Sequence, residues 1–410
     1  MRAKRVVVVG AGAAGTMAAI FAAGAGAETI LVERTRDGGR KILISGGGRC
    51  NVLPASLDET RFITDSSPNT LRKLVRSWPL AEQVRFFEEE VGIPLVEETE
   101  SKKLFPASHK ARDVRDGLLA LAKRRGVSLY SETQVADIVP GEKGWTVLCA
   151  GAPTIECDAV VIATGGLSVP NTGSDGTGLR IAEKLGHEMH TTYAALTPIV
   201  AASGQYASLS GVSLTVTLSA TSAARSATAT GGFLFTHIGY SGPSVLDVSH
   251  VVVRSRASGE QPPARVTVRW TPLGDDEWLE RLKPRGARTV LGAVRAELPD
   301  RLAAALIDAA AVAPDRVLSE LPRDERVRLI ETLVRGALPW TSDEGYKKAE
   351  VTGGGVSLAE VDPRTMESRR KPGLFLCGEV LDAFGPIGGY NFLWAWATGR
   401  AAGLGAAQRA

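Results

Sequence analysis

Apolar residues first gather at positions 6–9, where four valines in succession have the pattern of a strand covered on both faces. The run stops at Gly10. A charge-free stretch of small residues over 13–25 then predicts a helix, and a second apolar run at 30–32 ends in Glu33. Strand, turn, helix and strand in that order predict the start of a parallel α/β sheet. Further on, Leu71, Leu74, Val75, Trp78, Val84, Phe86 and Phe87 are interrupted by Pro79, which predicts two helices with a break between them. A helix over 114–122 that ends near Gly126 and a strand over 127–130 add the next sheet position. Residues 144–158 alternate as two short strands, WTVLC and TIECD, a hairpin in which Cys149 and Cys157 read as packing residues. The apolar run AVVIATGG at 159–166 reads as another central strand, and the glycine loop after it opens a helix over 178–185.

At Thr191 the pattern changes. Ser, Thr, Ala and Val dominate 191–272, with two-residue alternation in VSLTVTL and RVTVRW, which predicts an antiparallel or β-barrel-like module. From 275 to 338 the spacing turns helical, and Pro284, Pro299, Pro314 and Pro322 divide it into a small helical bundle. The closing segment returns to strand and turn patterns at 349–356 and 373–378 and ends in a helix over 392–402. The expected domains are therefore 1–190 with 350–410, 191–272 with 340–349, and a helical insert at 273–339.

Chemistry enters first at the opening turn. Gly10, Gly12 and Gly15 have the G-x-G-x-x-G spacing, in which the glycines permit a tight turn, an approaching pyrophosphate and close helix–strand packing. The helix N-terminus aims its free N–H groups at that turn, and Glu33 arrives about twenty residues on, where an adenosine ribose needs an acceptor. Ala11, Ala14 and Arg34 lie beside these positions. A dinucleotide follows from this pattern, but the turn alone does not separate a flavin from a nicotinamide. The basic start and uncharged stretch superficially resemble a secretion signal; glycines in the middle of the apolar run favour strand, turn and helix.

Composition narrows the picture little. A net charge of +3 over 410 residues supports neither a nucleic-acid nor a membrane partner. The four cysteines form no C-x-x-C pair and offer no metal spacing, as expected of free thiols in a cytoplasmic protein, and no metal is expected.

A second glycine-rich stretch, RTRDGGRKILISGGGRCN at 34–51, carries Arg40, Lys41 and Arg49 around Ser45 and Gly46, so cationic side chains and bare backbone can converge on phosphate or on a flavin edge. Its motif GGRKILISGGGRCN, with KLFPASHKARDVRDGL at 103–118, resembles a bacterial flavoprotein family of the two-dinucleotide-binding-domain type that includes bile-acid-inducible reductase-like and aminoacetone-oxidase-like members. The resemblance covers nearly the whole chain. It implies a Rossmann-like FAD-binding domain (parallel sheet plus β-meander) and places Arg40, Lys41, Ser45, Gly46, Arg49, Cys50 and Asn51 along the FAD. By the same analogy Val135 meets adenine on a connecting turn, Thr164, Gly165 and Gly166 pass under the dinucleotide, and Gly378 with Glu379 or Asp382 meets the ribityl chain. The turn GPIGGYN at 385–391 puts Gly388, Gly389, Tyr390, Asn391 and Phe392 at a helix N-terminus, a dipole-assisted site for the pyrimidine edge of reduced flavin.

The expected activity is an FAD-dependent oxidoreductase reducing or oxidising a small-molecule substrate by hydride transfer, and since only one complete glycine turn with its acid is present, NAD(P)H binds transiently over the flavin, or the enzyme is an oxidase, or another reductant serves. An FAD enzyme that modifies RNA and a nonenzymatic electron carrier are the alternatives. His237 and Tyr240, in FLFTHIGYSGPSVL, are the expected catalytic donors. Oligomeric state is not readable.

Overall fold

The computed structural model describes residues 2–202 and 206–408. The chain divides into two compact units, Met1–Tyr193 with Glu350–Ala410, and Ala194–Ala349.

The first unit is built on a parallel sheet. Its opening strand β1 (Arg5–Val9) leads through helix α1 (Ala13–Gly24) to β2 (Glu28–Val32), and helix α2 (Ala111–Arg124) crosses over to β3 (Ser128–Tyr130). Strand β4 (Ala159–Ile162), helix α3 (Thr177–Lys184), strand β5 (Leu374–Leu376) and helix α4 (Tyr390–Ala407) complete the set. The order is β5-β4-β1-β2-β3, with every pair parallel. Valines 6–8 and all of β4 and β5 are almost wholly buried, as strands covered on both faces must be. A three-stranded antiparallel meander, Val135–Gly141, Gly144–Cys149 and Ile155–Cys157, sits between β3 and β4 in the chain. It contains the expected hairpin plus one strand more, and Val135 begins that strand instead of lying on a connecting turn.

Helix α1 has almost no polar face because it is covered by the sheet and by α4. The approach of the two helices depends on missing side chains: a Cβ at Gly399 would lie 2.4 Å from the Ala14 carbonyl oxygen, and one at Gly403 would lie 2.2 Å from that of Ala18. Two tryptophans then fix what surrounds α4. Trp394 Nε1 donates to the Gly378 carbonyl and Trp396 Nε1 to that of Val52, each at 3.0 Å. Thr398 Oγ1 accepts the Gly378 N–H at 3.0 Å.

The second unit has its own core. A seven-stranded antiparallel sheet runs linearly from Gly336–Ala337 to Trp340–Asp343, with the long hairpin Ser213–Thr221 and Ser226–Phe235 near its middle. The helices of 275–335 bury Trp278, Leu302, Leu306 and Leu333 in the same cluster as Phe233, Phe235 and Trp270 of the strands. Strand and helical segments therefore share one core within a single compact unit. Among the described residues no helix is long and apolar enough to cross a membrane.

Candidate FAD-binding site

The N-termini of α1 and α4 open on one cleft in the first unit, which encloses about 1460 Å³ with the solvent at its mouth included. At one end the backbone itself is the binding surface. Gly10 takes φ +103°, and a Cβ there would stand 2.6 Å from the Ala163 carbonyl oxygen; one at Gly15 would lie closer still to the Gly10 carbonyl oxygen, at 1.8 Å. Gly12 is different: it lines the cleft, and no protein atom lies within 4 Å of the Cβ position. That open space in front of the α1 N–H groups is where a pyrophosphate fits. Glu33, at the end of β2, accepts from the Ala11 N–H at 2.9 Å and from Thr35 N and Oγ1 at 2.8 and 2.6 Å, which fixes its carboxylate on the cleft wall.

At the other end the wall is assembled from distant segments. Gly388 and Gly389 turn into α4 with φ of +118° and +92°, and Asn391 closes the turn by bonding the N–H and the carbonyl of Gly385, each at 2.9 Å. Glu379 accepts from Lys41 Nζ at 2.6 Å and from Thr352 N at 2.9 Å, while Ser168 Oγ accepts from Lys41 at 2.6 Å and itself donates to Glu379. Asn51 Oδ1 is buried on the same wall without a hydrogen-bond partner, so an acceptor there awaits a donor from whatever fills the cleft. Glycine-lined space before one helix, a ribose-type carboxylate, a second helix start and an unpaired amide oxygen fit an elongated flavin dinucleotide.

Of the site residues expected from sequence, the cleft brings together Gly10, Gly12, Ala14, Glu33, Arg34, Lys41, Ser45, Gly46, Asn51, Val135, Thr164, Gly165, Gly378, Glu379, Gly388, Gly389, Asn391 and Phe392. Others lie behind it. Ala11 contributes its N–H to Glu33, Gly15 packs on Gly10, and a Cβ at Gly166 would strike the Thr352 hydroxyl at 2.3 Å. Arg40 reaches instead toward Asp37, and Arg49 pairs with Glu98 at 2.8 Å with its guanidinium over the Phe105 ring. Tyr390 is buried, its hydroxyl donating to the Ser56 carbonyl.

Two expectations change chemically. Cys50 is fully buried and its thiol is pushed up to about 12 by that burial, which outweighs the hydrogen bond from Ser45, so it is not a reactive thiolate. Asp382 is buried too, and its Oδ2 accepts from Thr64 Oγ1, Asp65 N, Ser66 N and Ser66 Oγ at 2.8–2.9 Å. It anchors the 64–66 turn, which leaves Glu379 as the acid on the cleft wall.

In the second unit, His237 is exposed on the turn between Ser226–Phe235 and Gly239–Ser241. Tyr240 is a core residue with its hydroxyl donating to the Pro339 carbonyl at 3.0 Å, and burial raises its pKa. A phenol so held is not a free proton donor. Sequence reasoning passed over Ser174, Asp175, Phe384 and Ile387, all on the cleft. The glycine loop around Asp175 and the GPIGGYN turn around Ile387 are visible as patterns; Phe384 carries no local signal.

The HI0933-like protein Rossmann domain matches residues 4–405, almost the full chain. The chain belongs to that FAD-binding family. An Escherichia coli K12 protein named ribosomal RNA dihydrouridine synthase is 33% identical over 396 residues, covering 96% of this chain and 95% of the relative. A 3-dehydro-bile acid delta(4,6)-reductase of Clostridium scindens is 29% identical and covers 99% of both chains. The 3-ketosteroid delta1-dehydrogenase of Sterolibacterium denitrificans shares the fold, with a TM-score of 0.53 at 14% identity over 98% of this chain and 99% of that one. This member of the HI0933-like family is an FAD-dependent oxidoreductase, and the glycine, carboxylate and helix-start geometry above makes this cleft the candidate site for its FAD.

Proposed function

We propose that the protein reduces a carbon–carbon double bond conjugated to a carbonyl, drawing electrons from NADH or NADPH. The observation that carries the reading is the pair of helix starts on one cleft, an arrangement suited to holding a dinucleotide at both ends. The two relatives' names point to one kind of chemistry: making dihydrouridine saturates the uracil double bond beside a carbonyl, and a delta(4,6)-reductase of a 3-keto compound saturates a dienone. When bound and reduced, FAD would supply the hydride for such a bond, with the balancing proton taken from solvent.

The chain's residues supply the setting. The α1 N-terminus and Gly12 hold the diphosphate, Glu33 orients the ribose, and the Lys41–Glu379–Ser168 network fixes the wall between the two ends. The α4 N-terminus stabilises negative charge at its end of the cleft. Only one G-x-G-x-x-G with its acid is present, which supports transient binding of the nicotinamide instead of a second Rossmann domain.

The uracil ring of RNA is the first substrate reading, because the relative of that name is the more similar of the two; the apolar Phe384 and Ile387 on the cleft support a dienone as the second. The test is anaerobic. Purified protein is titrated with NADH and NADPH until its flavin absorbance bleaches, then mixed with ribosomal RNA or with a 3-oxo-4,6-diene steroid. Flavin reoxidation with a product heavier by two hydrogens supports the reading and names the substrate. A flavin that neither compound reoxidises, while oxygen does, overturns it.

A further inference from the structure

Beside Glu33, two segments that line the cleft are bridged by side chains. Arg34, the residue after the ribose carboxylate Glu33, forms an ion pair with Asp175 Oδ2 and places Nη1 within 3.4 Å of the Gly173 carbonyl oxygen. Arg34, Gly173 and Asp175 all line the cleft.

The two banks are held differently. Asp175 is fixed from its own side, since its Oδ1 accepts from Thr177 N and Oγ1 at 3.0 and 2.7 Å, and its carbonyl accepts from Arg180 at 2.9 Å. The loop that carries it is bounded by left-handed glycines, Gly173 at φ +106° and Gly176 at +77°, while Arg34 reaches over from the end of β2. Burial works to raise the Asp175 carboxyl, but Thr177 and Arg34 together hold it below the usual range, so the pair is charged at neutral pH.

We propose that the Arg34–Asp175 ion pair is a cofactor-retaining latch, closing the adenosine end of the cleft and setting how fast bound FAD leaves. It is a positioning pair. The role rests on the assignment of the cleft to FAD, not on any particular substrate. The side chains are 37% and 36% exposed, so salt screens the pair and weakens the latch.

The experiment follows FAD release from the holoprotein by the rise in flavin fluorescence after dilution, at low and high salt, for the wild type, Arg34→Gln, Asp175→Asn and the double variant. Asparagine Oδ1 can still accept from Thr177 N and Oγ1, so the turn that leads into α3 keeps those bonds. At low salt each single variant is expected to release FAD about fivefold faster, as for the loss of an exposed ion pair, with the double variant no faster than either. High salt should bring the wild type to the variants' rate. Unchanged release, or single effects that multiply in the double variant, overturns the latch while leaving the cleft's assignment intact. Protein that neither carries nor takes up FAD overturns both.

Discussion

The two helix starts that face the cleft do similar electrostatic work and are built in opposite ways. At α1 the backbone between residues 10 and 15 makes most of the site: Gly12 faces open space, while Glu33 accepts the Ala11 N–H, Gly39 donates to the Ala11 carbonyl and Gly10 packs on Ala163. At α4 the turn is crowded. Gly389 lies against Leu53 and Pro54, Gly388 under the stem of Lys103, and the wall beside them comes from Lys41, Ser168, Thr352 and Glu379. A glycine can thus be required because a ligand must come near, or because the protein already has.

That distinction can be broken by substitution. The largest effect is expected of Gly12→Val, whose Cβ would have no protein atom beyond its chain neighbours within 4 Å and so projects into the space in front of α1. Purified protein should carry essentially no FAD, read from its flavin-to-protein absorbance ratio, yet melt at the temperature of wild-type apoprotein. A flavin content equal to wild type would contradict the placement of the pyrophosphate.

Gly389→Ala should behave otherwise. Its Cβ would lie 2.4 Å from the Leu53 carbonyl carbon at a φ of +92°, so the fold itself must shift. Strain of this kind costs roughly 2 kcal/mol or more, and urea unfolding of the apoprotein should show it before any flavin is considered. Wild-type apoprotein stability would mean that the α4 end is as open as the α1 end.

The smallest effect concerns Asp382, the acid that turned inward. Burial raises its carboxyl against the hydrogen bonds from Ser66 and Thr64 and the pull of His190. A carboxyl raised on folding binds its proton more tightly in the native state, so its contribution to stability is fullest below the unfolded value and declines as pH rises through the folded one. The stability difference between the wild type and Asp382→Asn, from urea unfolding at a series of pH values, should therefore fall as pH rises through and just above the ordinary carboxylate range. A difference that grows with pH would show that the anchor works as a favourably placed anion.

What the sequence by itself determined is the short-range part. Valines 6–9, the spacing of Gly10, Gly12 and Gly15, and Glu33 are joined by one helix and one strand, so local rules of sterics and hydrogen bonding suffice to bring them together. The same holds for the inserted strands and helices, whose periods were readable before their packing was. Tertiary structure decided the rest. Nothing local distinguishes Glu379 from Asp382, three residues apart; one is met by Lys41 on the cleft wall and the other by the backbone of 64–66. Nor does the pattern FTHIGY show that Tyr240 is core, or the motif GGGRCN that Arg49 is drawn off by Glu98 and Cys50 sealed inside. A side chain's direction depends on which distant partner can satisfy its charge or hydrogen bonds, and that choice exists only once the chain has folded.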